Sequence, residues 1–256
     1  MISAQKVTKC FVPVPANPAA SVRLFCFPYA GGSSSAFREW GKILSPQVEV
    51  LTAELPGHGY RVTEPLFNQL EPLVKNLAHA ILPHLDRQFA FFGHSMGATL
   101  AYELSLLLRE ERGLEPEILF VSARNAPHVP NHKPPTYALP EKEFIDELRR
   151  LNGTPREVLE HPELLSFVLP MLRADFELIQ TYKYSPRPPL TCPMRAFVGS
   201  KDPEVQARNV ESWKEHTTGS FRMSVMFGDH FYLESERGHL LRLIGTELAC
   251  PSQTPV

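Results

Sequence analysis

The sequence predicts an α/β fold in which a mostly parallel sheet is flanked by helices. Short apolar runs alternate with helical stretches along most of the 256 residues, and a Gly-x-Ser-x-Gly segment joins one apolar run to one helix. Such alternation is typical of a parallel sheet, because each pair of parallel strands needs a crossover connection that is usually helical. The alternation is interrupted over about residues 126–190, which predicts a helical insertion.

The predicted strands are short apolar runs that end at Gly, Pro or Ser clusters. They cover residues 22–27, 48–55, 89–92, 118–122, 194–198 and 223–227. The predicted helices outside the insertion cover 70–85, 98–108, 205–213 and 236–248. Residues 1–21 are interpreted as a Pro-containing lead-in to the first of these strands.

The chain length favours one domain, residues 1–256, with an insertion inside it. The insertion opens with five prolines between residues 126 and 140. Two helical stretches follow, and the second, over 163–184, is expected to kink at Pro170. Because open parallel sheets bind ligands at the carboxyl ends of their strands, we expect the insertion to cover that edge as a lid. A purely structural excursion is the alternative.

Composition argues against several classes of protein. Lys and Arg number 26 against 28 Asp and Glu, so no strong overall field favours nucleic acid or an anionic membrane. The chain has neither the apolar stretch of a signal peptide near its start nor a run of about 18–20 apolar residues that could span a membrane. We therefore expect a soluble, cytoplasmic protein.

The cysteines support the same compartment. Cys10, Cys26, Cys192 and Cys250 are widely separated and show no Cys-x-x-Cys spacing. Free thiols in a reducing compartment are therefore favoured over a disulfide framework or a zinc site.

Gly93-His94-Ser95-Met96-Gly97 predicts a nucleophilic serine. The segment follows an apolar strand and opens an apolar helix, which is the context that the motif requires in the α/β-hydrolase fold. A sharp strand-to-helix turn exposes the Ser95 hydroxyl at a helix N-terminus, where positive potential favours an oxyanion. An ordinary Gly-rich turn is the alternative. His94 is expected to point into the packing, because successive side chains diverge in a tight turn.

In this fold the acid and then the histidine follow the nucleophile along the chain. His216, His230 and His239 are the candidates, and we favour His230 because it follows a predicted strand and a glycine. The other two are predicted to be surface residues. Asp202, after the preceding strand, is the predicted acid that orients the imidazole, although an Asp before a Pro is also a good helix N-cap. Asp229 is the rival acid.

Two backbone amides are predicted to form an oxyanion hole. One belongs to Met96, directly after the nucleophile, and the other comes from the loop after the first core strand. Ala30 is our choice in that loop and Tyr29 is the alternative. A plain turn at Gly31-Gly32 is the simpler interpretation of the loop.

Six segments together resemble a known family. They are FPYAGG at 27–32, LPGHG at 55–59, FFGHSMG at 91–97, RAD at 173–175, FVGSKD at 197–202 and GDHFYL at 228–233. In this order they resemble the type II thioesterases that accompany polyketide synthases and non-ribosomal peptide synthetases. The medium-chain fatty-acyl thioesterase of animal fatty acid synthesis is a relative of that family.

The resemblance implies hydrolysis of acyl thioesters on the phosphopantetheine arm of carrier proteins, in an editing role that removes stalled or wrongly primed groups. It also implies Ser95, Asp202 and His230 as the catalytic triad and a flexible helical lid over the acyl site. No metal or redox cofactor is expected, since phosphopantetheine belongs to the substrate. The expected partners are acyl or peptidyl carrier domains, and we expect a monomer.

Several other residues are assigned by the pattern or by the resemblance. Six residues are candidates to line the acyl site, with ordinary core packing as the alternative: Tyr29, Phe144, Leu148, Phe167, Met171 and Phe176. His58 stands where family members often carry Arg, and a local structural role is expected for it. Asp175 is expected to act structurally within its own helix.

Three other functions remain open from the sequence. A carboxylesterase or lipase would use the same triad on free esters. A non-catalytic binding protein would share the scaffold but typically lose a triad member. A macrocyclising terminal thioesterase would usually be fused to a carrier domain.

Overall fold

A computed structural model describes residues 10–44, 46–131 and 133–249 of the chain. The strands within these ranges are β1 (Phe11–Pro13), β2 (Val22–Phe27), β3 (Val48–Ala53), β4 (Gln88–His94), β5 (Leu119–Ser122), β6 (Met194–Gly199) and β7 (Phe221–Met226). They form one sheet in the order β1-β3-β2-β4-β5-β6-β7. All neighbouring pairs are parallel except β1 and β3, so the sheet is mostly parallel, as predicted.

Helices connect the strands and flank the sheet. They are α1 (Trp40–Ile43), α2 (Leu70–Ile81), α3 (Met96–Arg112), α4 (Glu141–Leu151), α5 (Arg156–Glu160), α6 (Pro162–Gln180), α7 (Ala207–Glu211), α8 (Tyr232–Ser235) and α9 (Arg237–Ala249). Short 3-10 turns lie at Ser34–Phe37, Gly59–Arg61, Leu82–His84 and Ser212–His216. None of the helices in the described ranges is long and apolar enough to cross a membrane.

β1 is a strand that the sequence analysis did not predict. It lies within the segment interpreted as a lead-in, and it pairs antiparallel with β3, Phe11 facing Ala53. Three residues are too few to show a period of two, and Pro13 weakens the pattern further. An edge strand tolerates a proline because one of its sides has no neighbour to bond.

The sheet is buried on both faces. Phe25 and Phe27 of β2 point into a core that includes α2 and α3, whereas Leu24 and Cys26 point into a core that includes α1 and α9. Alternate residues of a strand face opposite sides of the sheet, so a strand covered on both sides is apolar throughout. This explains why β2 and β4 appear in the sequence as mostly apolar runs.

The insertion forms a small layer of its own above the sheet. Helices α4, α5 and α6 share a separate apolar core made of Phe144, Leu148, Leu159, Leu169 and Leu172. Helix α6 continues through Pro170 and ends at Gln180. Its Leu172 side chain lies so close to Gly31 that a Cβ atom there would be 2.4 Å from it, which places α6 over the loop that follows β2. We call α4, α5 and α6 the lid helices.

The cysteines of the described ranges are free and buried: Cys10, Cys26 and Cys192. Burial raises the pKa of the Cys10 and Cys192 thiols to about 12. Thiols of this kind are chemically inert at neutral pH. Cys250 lies outside the described residues.

Candidate active site

Ser95 lies on a strained turn between β4 and α3. Its backbone has φ 54° and ψ −114°, a conformation that residues with a Cβ rarely adopt. Two close approaches produce the turn: a Cβ on Gly93 would lie 2.1 Å from the Gly97 carbonyl oxygen, and a Cβ on Gly97 would lie 2.1 Å from that of Phe27. The two flanking glycines are therefore a steric requirement of this turn.

His230 joins Ser95 to Asp202. Its Nε2 lies 2.9 Å from Ser95 Oγ and its Nδ1 lies 2.8 Å from Asp202 Oδ2. The three side chains come from the turns after β4, β6 and β7, which lie at the same edge of the sheet. The structure therefore brings together the three residues that the sequence analysis assigned to a triad.

The hydrogen-bond partners define the protonation of the pair. A carboxylate can only accept, so His230 donates its Nδ1–H to Asp202. In neutral His230 the Nε2 atom is then the acceptor for the Ser95 hydroxyl proton. This is the tautomer that a general base needs.

The next helix, α7, begins at Ala207 with Gln206 as its N-cap, so Asp202 faces the imidazole and is not a helix N-cap. Its Oδ2 atom faces His230, while its Oδ1 accepts the amide hydrogens of Glu204 at 2.8 Å and Val205 at 3.1 Å. The side chain is 0% exposed. The rival acid, Asp229, has a different partner: its Oδ1 accepts the amide hydrogen of Phe231.

His94 is buried behind the site, as its position in the turn predicted. Its Nε2 lies 2.9 Å from the His230 carbonyl oxygen, so this nitrogen donates, and its Nδ1 accepts from Ser122 Oγ at 2.9 Å. Ser122 Oγ in turn bonds the Tyr232 hydroxyl at 2.5 Å. Burial lowers the pKa of His94 well below its usual value, and a charge on His230 lowers it further, so His94 is neutral. This chain of bonds fixes the backbone that carries His230.

The two residues whose amides were assigned to an oxyanion hole, Met96 and Ala30, line the same cavity as Ser95. Met96 is the first residue of α3, where an amide has no partner within the helix. Neither the Met96 nor the Ala30 amide donates a hydrogen bond to another residue in the described ranges. Tyr29 contributes its carbonyl to the tight turn that ends with the Gly32 amide, at 2.8 Å.

Asp175 of lid helix α6 ties the lid to that loop. Its Oδ2 accepts the Gly31 amide hydrogen at 2.7 Å and lies 2.8 Å from Nε2 of His58. His58 Nδ1 lies 3.0 Å from the Pro56 carbonyl oxygen. Both partners of His58 only accept, so the imidazole donates from both nitrogens and is positively charged. Burial alone would lower the pKa of His58, but the hydrogen bond and charge of Asp175 outweigh burial and raise it.

Asp175 therefore connects three elements, and the expectation that it acts within its own helix was wrong. The side chain is almost fully buried, as is that of His58. Helix periodicity shows only that Asp175 lies on an inward face. It cannot show that this face meets the amide of Gly31, which lies 144 positions earlier in the chain.

The two histidines set aside as surface residues differ. His239 is exposed on α9. His216 is 3% exposed, so its predicted surface position was wrong. The 3-10 turn Ser212–His216 folds it inward, where it bonds the Tyr102 hydroxyl at 2.9 Å and Nδ1 of His128 at 2.7 Å. The charged residues before His216 suggested that it is exposed, but the 3-10 turn places its side chain inside the protein.

A cavity of about 460 Å³ lies between the lid and the sheet edge, and Ser95 and His230 line it. Three of the predicted acyl-site residues line this cavity: Tyr29, Leu148 and Phe176. The other three do not. Phe144 is buried in the lid core, Met171 packs against that core and Phe167 is 64% exposed. No group of three His, Cys, Asp or Glu side chains suited to a metal ion occurs in the part of the chain that the structure describes.

Comparisons with known proteins show which family the chain is similar to. A model of the thioesterase domain family matches residues 22–248. The gramicidin S biosynthesis protein GrsT of Aneurinibacillus migulanus is 41% identical over 243 residues, which are 95% of each chain. Linear gramicidin dehydrogenase LgrE of Brevibacillus parabrevis is 45% identical over 90% of this chain and 88% of its own.

A solved structure has the same fold. The thioesterase RedJ, from the prodiginine biosynthetic pathway of Streptomyces coelicolor, superimposes with a TM-score of 0.84 at 41% identity, covering 91% of this chain and 87% of its own. The predicted α/β-hydrolase fold is confirmed by the sheet and by this neighbour. The family model covers most of the chain, and the chain belongs to the thioesterase family.

Proposed function

We propose that this chain hydrolyses acyl thioesters carried on the phosphopantetheine arm of carrier proteins, through an acyl intermediate on Ser95. The observation that carries the proposal is the hydrogen-bonded series Ser95–His230–Asp202 at the wall of a lidded cavity. Similarity to GrsT, to RedJ and to the thioesterase PikA5 of Streptomyces venezuelae, at 39% identity, supports an editing role beside a synthase or synthetase.

The first half-reaction forms the acyl-enzyme. His230 Nε2 takes the Ser95 hydroxyl proton as Oγ attacks the thioester carbonyl carbon. The imidazolium that results is stabilised by the Asp202 carboxylate, with which it shares its Nδ1–H. The C–S bond then breaks and His230 returns the proton to the leaving thiolate of the pantetheine arm.

The second half-reaction repeats these roles with water. His230 removes a proton from water as it attacks the Ser95 ester, and the tetrahedral intermediate collapses to the free acid and the Ser95 hydroxyl. In both halves the negative oxygen would be held by the Met96 and Ala30 amides. Removing one such donor typically costs about 10²–10³ in rate.

The chain itself supplies the nucleophile, base, acid and oxyanion donors, so we propose that the reaction requires no metal and no redox cofactor. Phosphopantetheine enters as part of the substrate. The partner is then an acyl or peptidyl carrier domain, and the buried free thiols fit a cytoplasmic enzyme.

The lid helices would close the acyl site. Leu148 and Phe176 of the lid helices line the same cavity as Ser95 and are apolar. An apolar cover excludes water that would otherwise occupy the place of the acyl chain. Because less water is present, the electrostatic interactions inside the site are stronger.

The name of LgrE raises hydride transfer as a second activity. That chemistry commonly uses a Gly-x-Gly-x-x-Gly turn after the first strand to hold a dinucleotide. This chain has Pro28-Tyr29-Ala30-Gly31-Gly32 in that place and no Gly-x-Gly-x-x-Gly anywhere in its sequence. Hydrolysis is therefore the activity that the residues support.

The experiment compares kcat/KM for one acyl group on three carriers: an acyl-carrier protein, acyl-pantetheine and a nitrophenyl ester. The proposal expects the carrier protein to be preferred. Equal values on all three would instead favour a carboxylesterase. Absence of fluorophosphonate labelling at Ser95 in folded protein would favour a non-catalytic binding protein.

A further inference from the structure

Four acidic or basic residues line the cavity beside Ser95: Arg124, Lys133, Glu147 and Glu204. Three of these four are neutralised locally. Lys133 Nζ lies 2.6 Å from Glu204, and Arg150, behind the wall, bonds Glu147 at 2.7 Å and Glu204 at 2.8 Å. Arg124 is the exception.

The Arg124 guanidinium has no ion pair and no hydrogen bond with any residue in the described ranges. Its backbone is held in place, since the carbonyl oxygen accepts the Trp213 indole hydrogen at 2.8 Å. Burial lowers the pKa of Arg124 to about 10, and a negative charge on Tyr182 would oppose this. The side chain is therefore still cationic at neutral pH, and Arg124 is one of the residues that line the cavity.

The next residue is unsatisfied as well. Asn125 lines the same cavity, and its Oδ1 atom is buried without a hydrogen-bond partner among the described residues. A buried polar group without a partner destabilises the fold. Arg124 is only half-buried, so its cation can be hydrated when no ligand is present. A buried acceptor without a partner next to an unpaired cation, both in one cavity wall, points to a ligand that completes their bonding.

Arg124 is also close to the reacting centre along the sheet. It lies two positions after Ser122, the last residue of β5, and the Ser122 carbonyl oxygen accepts the Ser95 amide hydrogen at 2.8 Å. The phosphate of a phosphopantetheine arm lies at the far end of that arm from the thioester. A cation in the wall of the cavity that Ser95 also lines is thus better placed to meet the acyl group than the phosphate.

We propose that Arg124 is a specificity-determining residue that favours acyl groups bearing a carboxylate over acyl groups bearing an ammonium. The guanidinium donates charge-assisted hydrogen bonds to a carboxylate and repels an ammonium in the same cavity. Asn125 Oδ1 accepts from a hydroxyl of the acyl group or from an amide of the arm. This inference deepens the proposed function and rests on it for the identity of the substrate.

Turnover of three pantetheine thioesters of equal chain length tests the inference: hexanoyl, adipoyl and 6-aminohexanoyl. The measured quantity is the ratio of kcat/KM for adipoyl to that for 6-aminohexanoyl. A charge-assisted bond changes affinity by about tenfold or more, so we expect a ratio of at least about ten for the natural chain. Arg124→Met should lower the ratio by about tenfold, and Arg124→Lys should keep it above one.

Arg149→Met is the matched control, since Arg149 is an exposed lid arginine paired with Asp146 and is not part of the cavity wall. Its ratio should equal that of the natural chain. Thermal unfolding of each variant shows that it folds. A ratio that Arg124→Met leaves unchanged would overturn the inference.

Binding to Ser95→Ala separates this inference from the proposed function. Calorimetry gives the Kd of adipoyl- and 6-aminohexanoyl-pantetheine without hydrolysis. The measurement is made on Ser95→Ala and on the double variant that also carries Arg124→Met. If thioesters are not hydrolysed but the charge preference in Kd is present and lost with Arg124→Met, the proposed function fails and the inference stands. If phosphopantetheine binds much more tightly than pantetheine, and only when Arg124 is present, then Arg124 binds the phosphate and the inference fails.

Discussion

The carboxylate of Asp175 accepts a 2.7 Å hydrogen bond from the amide of Gly31, so a lid helix holds the loop that carries an oxyanion donor. Gly31 follows Ala30 directly, and its φ of 76° shapes the loop at that point. The charged His58 imidazole holds the same carboxylate from the other side. The position of the lid is therefore coupled to the position of the Ala30 amide.

Asp175→Asn should weaken both stability and catalysis. The change removes the ion pair with His58, and breaking a buried pair lowers the melting temperature of a domain of this size by about 5–15 °C. A displaced Ala30 amide should lower kcat by about tenfold or more. Glu177→Gln is the matched control, because Glu177 joins the same helix to Asn68 at the surface. A kcat as low in Glu177→Gln as in Asp175→Asn would contradict a specific role for the Gly31 contact.

Asp202→Asn should reduce kcat by about 10⁴ with little change in KM. An amide beside His230 Nδ1 stabilises the wrong tautomer and cannot balance the imidazolium charge. Asp229→Asn provides the comparison, because Asp229 accepts a backbone bond from Phe231 and does not contact the imidazole. Steady-state kinetics on one acyl-pantetheine compares the two variants. Near-normal kcat in Asp202→Asn would mean that another acid orients His230.

Gly97→Ala should prevent the native turn at Ser95. The new Cβ would lie 2.1 Å from the Phe27 carbonyl oxygen, so strand β2 and helix α3 would have to separate. We expect little folded protein, and loss of activity in whatever folds. Gly238→Ala is the control: the site is in helix α9 with no atom within 4 Å, and the change should stabilise the chain by about 0.5–1 kcal/mol. Circular dichroism melts of both variants measure the difference.

Acid should destabilise the fold through His216. Burial, and then the charge of His128, lower the pKa of His216 to about 4, below its usual value of 6.5. The unfolded chain therefore binds more protons between these values, and stability falls as the pH drops from 6.5 towards 4. The groups packed on this imidazole are Tyr102, Tyr184, Trp213 and His128.

His216→Gln removes that proton uptake. Its melting temperature should fall less between pH 7 and pH 4.5 than that of the natural chain. His239→Gln, at an exposed position on α9, should follow the natural chain. Parallel curves for all three proteins would show that His216 does not titrate in this way.

The positions of most strands along the chain and the three triad residues could be predicted because their signals are local. Ser95 lies in a glycine pattern that only one turn explains, and His230 and Asp202 each follow a strand end. The chain direction of a parallel sheet then brings all three to one edge. None of this requires knowledge of which side chains meet across the fold.

The roles of other residues depend on contacts between distant parts of the chain, so they could not be predicted from the sequence. Asp175 reaches Gly31 and His58 from a distant helix, and His216 turns inward through a single 3-10 turn. Phe144 and Phe167 lie on helices of the same layer, yet one is in the lid core and the other is in solvent. Helical spacing cannot distinguish a lid face that meets the cavity from one that meets a neighbouring lid helix.

The most direct measurement is intact-mass spectrometry of an acyl-loaded carrier protein before and after incubation with the chain. The acyl mass should disappear and leave the phosphopantetheine-bearing carrier, while an equal amount of Ser95→Ala leaves the acyl group in place. Retention of the acyl mass with the natural chain, or its loss at the same rate with Ser95→Ala, would contradict thioester hydrolysis by this serine.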